Sequence, residues 1–132
     1  MEAIVFMPLV AAFSVFPIWV VEQYLPAPWL VEELAKLVLV LYVVRLKLTK
    51  GLVWVVASGL AFGVSEAFLY LFNLLLAGSI APLVWRLALT LPMQLMTITI
   101  LYYGALGGWL RRLVALILAI MIHFLFNLGL TV

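Results

Sequence analysis

The chain has 132 residues, of which 70% are hydrophobic and 9% charged, with a formal net charge of +2 and a mean hydropathy of +1.39. A water-soluble domain of this size leaves too much surface exposed to hide so much apolar side chain, so lipid is the expected solvent. The absence of cysteine excludes disulfides and thiolate metal sites, the single histidine excludes a multi-histidine metal site within one chain, and the small, scattered positive charge gives no footing for nucleic acid.

Backbone groups cannot go unsatisfied in hydrocarbon, and long continuous apolar runs select helices over a barrel. The expected fold is therefore all-α: one membrane-embedded domain, 1–132, built as a multi-pass transmembrane bundle of about five helices. The first helix is expected over about 3–21, and Pro26 and Pro28 mark the break after it. No cleavable signal is expected, because the run follows Glu2 rather than a basic stretch. The second helix covers about 29–46 and leads into a basic loop, Arg45 to Lys50. The third covers about 52–77; Gly78 and Ser79 turn the chain, and Pro82 is placed to open the fourth, about 80–106. Gly107, Gly108, Arg111 and Arg112 form the next turn, and the fifth helix covers about 113–130. Basic loops stay cytoplasmic. Arg45, Lys47, Lys50, Arg111 and Arg112 all fall on one side of this layout, which puts the N-terminus in the cytoplasm and the C-terminus outside.

A charged side chain at the centre of a spanning helix costs about 2.5–3.5 kcal/mol on insertion scales. Glu32, Glu33, Lys36, Glu66, Arg86 and His123 carry that cost. Counted along their helices, they fall in one layer, from the outer surface to the midplane, with Asn127 one turn above His123. Spacing lets Lys36 meet either Glu32 or Glu33. Arg86, Thr90, Gln94 and Thr97 form one helical stripe, Ser58, Glu66 and Asn73 another, so these faces are expected to point inward at one another. Much of this has a plain structural explanation: Asn127, Ser58 and the threonines suit helix-to-helix hydrogen bonds, Arg86 suits snorkelling to the outer interface, and Lys36 suits neutralising a glutamate. Adjacent glutamates are harder to explain by packing, since neighbouring carboxylates repel and burial desolvates them. Gly59 with Gly63, and Gly104 with Gly108, read as close-packing patterns. Trp19, Tyr24 and Trp29 suit the outer interface and Trp109 the inner one.

Four of these segments resemble, in order, the motifs of the PrsW-type intramembrane proteases, within the broader superfamily of CAAX-prenyl proteases and bacteriocin-processing membrane proteins. Glu32-Glu33-Leu34-Ala35-Lys36 resembles the EExxK motif and follows a proline-containing turn. Phe62-Gly63-Val64-Ser65-Glu66 resembles the FxxxE motif. Arg86 through Leu91-Pro92-Met93 resembles the segment carrying the third-motif histidine, and His123-Phe124-Leu125-Phe126-Asn127 resembles the HxxxN motif. The likeness spans Pro26 to Asn127, and at the third-motif histidine this chain has Gln94.

The resemblance implies glutamate-dependent hydrolysis of a peptide bond in a single-pass membrane protein or peptide, near the extracytoplasmic membrane edge, as in site-1 cleavage of anti-sigma factors. Glu32, Glu33, Glu66 and His123 are then the expected catalytic residues, with Lys36, Arg86, Gln94 and Asn127 supporting them. Within the glutamate pair Glu33 is the preferred base, held ionised by Lys36, with His123, Asn127 and position 94 on the oxyanion side. No cofactor is expected, although Glu32, Glu33, Glu66 and His123 are also a conceivable zinc set. Glutamine hydrogen-bonds but takes up no proton, so Gln94 leaves open a non-catalytic scaffold or binding relative of the family. A proton-relay or transport protein is a further alternative, weakened by the lack of an internal repeat.

Overall fold

The structure, a computed structural model, describes residues 6–75 and 81–130. The expected helix start at 3 and the turn at 78–80 lie outside those residues. Among the described residues five helices follow one another: α1 Met7–Glu22, α2 Pro28–Arg45, α3 Gly51–Leu75, α4 Ala81–Ala105 and α5 Trp109–Leu130. Three of them are long and apolar enough to cross a membrane, over Gly51–Leu71, Val84–Ala105 and Trp109–Gly129. The chain is a helical membrane protein. Helix α1 is apolar but has 16 residues. Helix α2 carries Glu32, Glu33, Lys36 and Arg45 among its 18 residues, too many charges for a span that faces lipid on its own.

Local chemistry sets the helix limits. Pro28 occupies the first turn of α2, where its missing N–H costs nothing. At the other end the amides of Leu46 and Lys47 bond the carbonyls of Tyr42 and Val44, and Lys47 takes a left-handed φ of 50°. That conformation costs a residue with a Cβ roughly 1–2 kcal/mol, and it turns the chain sharply toward α3. Pro17 and Pro92 lie inside α1 and α4 and remove one intrahelical donor each.

The fifth helix begins a turn earlier than expected. Arg111 and Arg112 lie in the first turn of α5 rather than in the preceding turn. The only strong breakers there are Gly107 and Gly108; from Trp109 onward nothing interrupts helix formation, and arginine is a good helix former. The dipole penalty for cations at a helix N-terminus is only about 0.3–1 kcal/mol at an exposed site.

Helices α1, α3, α4 and α5 form a row, each packed on the next, and α2 lies against all four. That central place accounts for its burial: Glu33, Val40 and Val43 are fully enclosed. Met7 packs with Val40, Val43, Val55, Leu101 and Ala105, which gathers the start of α1, the end of α2, the start of α3 and the end of α4 at one end of the bundle. Arg45, Lys47, Lys50, Arg111 and Arg112 therefore share that end. The outward faces are apolar, with Leu113, Ile117, Leu118, Met121, Leu125 and Leu128 of α5 all exposed. So continuous an apolar surface belongs in lipid.

Three glycines permit the close approaches between helices. A Cβ on Gly59 would stand 2.8 Å from Ile98 Cγ2 of α4. A Cβ on Gly63 would stand 3.0 Å from Leu91 Cδ2 and 3.3 Å from Gln94 Cγ, so α4 can lie against α3 at the level of Glu66. A Cβ on Gly104 would collide with the Ala115 methyl group of α5. Gly108 faces open space and takes no part in packing, so the expected pairing of Gly104 with Gly108 reduces to Gly104 alone.

Candidate active site

Helical rise places the polar residues at a common depth. Counting from the cationic end, Gln94 is 11 residues before Ala105, Glu33 is 12 before Arg45, His123 is 14 after Trp109 and Glu66 is 15 after Gly51. At about 1.5 Å per residue these are about 16–22 Å in. All lie in the half of the bundle remote from the cations, against a hydrocarbon thickness of about 30 Å.

The inner part of the cluster centres on Glu33. One carboxylate oxygen, Oε1, accepts from Lys36 Nζ at 2.6 Å and faces His123 Nδ1 at 2.7 Å. Lys36 Nζ also donates to Thr97 Oγ1 at 3.2 Å and lies 5.3 Å from the Phe62 ring centroid. Of the two carboxylates that spacing offered Lys36, the structure selects Glu33. The other oxygen, Oε2, is buried and has no partner among the described residues.

The outer part centres on Gln94. Its amide nitrogen donates to Glu66 Oε2 at 2.5 Å and to Glu32 Oε2 at 3.4 Å, so one side chain of α4 ties α2 to α3. His123 Nε2 stands 3.8 Å from Glu32 Oε2. His123 thus lies between the two glutamates, one ring nitrogen toward each. Gln94 Oε1 is buried without a partner.

Access separates the glutamates. Glu33 is 0% exposed, while Glu32 and Glu66 line a narrow cleft between α1, α2 and α3, with a free volume of only about 10 Å³, together with Phe62, Trp19 and Tyr70. The Arg86 guanidinium lies over the ring of Tyr70, a cleft-lining residue, 3.2 Å from its centroid. Trp29 is partly buried against Phe124, with ring centroids 5.2 Å apart.

Of the expected site residues, Glu32, Glu33, Lys36, Glu66, Gln94 and His123 form one connected group, with Thr97 as a link. Arg86 lies over Tyr70. Asn127 is partly buried, and among the described residues no hydrogen bond joins it to the group. Ser58 and Thr90 are buried, but their hydroxyls find no partner among the described residues, so they are not the hydrogen-bonding glue their spacing suggested. The Asn73 side chain lies outside the described ones.

Sequence reasoning missed Glu22. It was placed in the outer turn, yet it closes α1 and lines the same cleft as Glu32 and Glu66. Among the described residues, no three His, Asp or Glu side chains are arranged to hold a metal ion.

Comparison with protein-family models, with curated proteins and with solved structures finds no match.

Proposed function

We propose that this chain is a glutamate-dependent intramembrane endopeptidase of the PrsW type, a bundle of five spans in the cell membrane with its N-terminus in the cytoplasm and its C-terminus outside. Its substrate is a single-pass membrane protein or peptide, cut near the extracytoplasmic membrane edge. One observation carries this reading: Glu32 and Glu33, Glu66, Gln94 and His123, contributed by four successive helices, meet beside a cleft in one group whose two halves are hydrogen-bonded through Lys36 and Thr97. Packing alone does not call for four ionisable groups at one depth of a helical bundle.

Exposure divides the roles within the glutamate pair. Glu33 is enclosed and already accepts from Lys36 and His123, so it acts as the positioning group that orients the imidazole. Glu32 reaches the cleft and is the better general base, in place of Glu33. In this scheme Glu32 takes a proton from water as the water oxygen bonds to the peptide carbonyl carbon. The Gln94 amide and the His123 ring face the side on which the oxyanion develops. Collapse breaks the C–N bond, and the proton held by Glu32 or His123 passes to the leaving amine. Glu66 orients the attacking water.

A second reading has its own observation. Gln94 donates to both Glu32 and Glu66, so it occupies the two carboxylates that would otherwise act on water. That arrangement suits a non-catalytic relative that binds membrane segments without cutting them. The two readings separate in liposomes holding the purified chain and a single-pass test substrate. The protease reading expects cleavage by Gln94→His, abolished on adding Glu32→Gln. Binding without cleavage in both the parent and Gln94→His supports the scaffold.

A further inference from the structure

Glu22 is the last residue of α1, and its backbone lies at the mouth of the cleft rather than in the turn beyond it. Its carboxyl group is within hydrogen-bonding reach of Glu32 and shares the cleft with Glu66 and Tyr70. Its Oε1 is buried and finds no partner among the described residues.

The surrounding charges come from every helix packed here. Glu32, Glu33 and Lys36 belong to α2, Glu66 and Tyr70 to α3, Arg86 to α4 and His123 to α5. Four carboxyl groups therefore face two basic side chains, Lys36 and Arg86. Lys36 is engaged by Glu33 and Thr97, and Arg86 lies over Tyr70. Among the described residues no ion pair joins either of them to Glu22 or Glu32. Two carboxyl groups within hydrogen-bonding reach, one of them enclosed, repel when both are charged, and a hydrogen between them, one donating and the other accepting, removes that repulsion.

We propose that Glu22 is a further carboxylate of the site, sharing one proton with Glu32 across the cleft mouth, so that α1 orients Glu32 and gives its proton a way out. When Glu32 takes a proton from water, the shared proton stays on Glu22; Glu32 then passes the water's proton to the leaving amine, and the proton of the new carboxylic acid leaves by way of the pair toward the outer surface. Glu22 is a positioning residue in this scheme: it acts on Glu32 and touches no substrate. Its part in catalysis rests on Glu32 being the base.

A hydrophobic carbodiimide, dicyclohexylcarbodiimide, adds to protonated carboxyl groups buried in membrane proteins, and fragment mass spectrometry locates the adduct. The full chain in liposomes should carry adduct at Glu22 or Glu32. Glu22→Gln puts an amide donor beside Glu32, which then stays a carboxylate, and adduct across the two positions should fall about tenfold or more. Glu32→Gln should lower it as much. Glu22→Asp should keep it, with adduct counted per chain recovered. Independent carboxyls would lose about half the adduct with either substitution, and mere loosening of the cleft would raise it. Either of those results, or no adduct at Glu22 and Glu32 in the unaltered chain, overturns the proposal. The labelling needs no cleavage. A chain that labels as expected and cuts no substrate keeps the shared proton and loses the protease.

Discussion

Glu33 on α2 and His123 on α5 are 90 residues apart in the chain, and their side chains meet at 2.7 Å with both fully buried. The same carboxylate oxygen also accepts from Lys36. A single enclosed oxygen thus joins α2 to α5, the helix that carries the imidazole. This linkage fixes which ring nitrogen of His123 points toward Glu32.

Breaking that group should be costly. Lys36→Met leaves Glu33 enclosed without its cation and should destabilise the bundle by about 3–5 kcal/mol. The double substitution Lys36→Met with Glu33→Gln should recover part of the loss. Thermal unfolding in detergent, read as a double-mutant cycle, measures the coupling.

Helix contact at α4–α5 depends on the absence of a side chain at Gly104. Gly104→Val should cost about 1–3 kcal/mol, because the Ala115 methyl group cannot move without shifting α5. Gly108→Ala should stay within about 0.5 kcal/mol of the parent, since nothing lies within 4 Å. Equal losses in the two variants would contradict the packing.

Roles at the site predict unequal kinetic effects. His123→Ala should lower cleavage by roughly 100-fold or more if it assists proton transfer. Asn127→Ala, at a residue with no bond to the group, should change it only slightly. An equal loss in both would bring Asn127 into the machinery.

Orientation is testable because the chain has no cysteine of its own. Tyr24→Cys lies in the exposed turn between α1 and α2, at 83% relative exposure. A membrane-impermeant maleimide should label it from outside and should label Lys47→Cys only from the cytoplasm. The reverse pattern would place the cleft on the cytoplasmic side.

Composition and the order of apolar runs were enough to read an all-helical membrane chain, because lipid offers the backbone no partner but itself. The layer of Glu32, Glu33, Glu66, Gln94 and His123 was legible too, since helical rise converts residue number into depth. Side-chain partners were not legible. Helical spacing allowed Lys36 to meet Glu32 or Glu33 equally, and only the position of α5, which brings His123 to Glu33, shows which carboxylate is enclosed. Glu22 was overlooked because its depth depends on how α1 lies against α3, which no local pattern encodes. Depth along a helix is a one-dimensional quantity that sequence carries; which faces meet, and which oxygen is left open to the cleft, depends on packing between helices far apart in the chain.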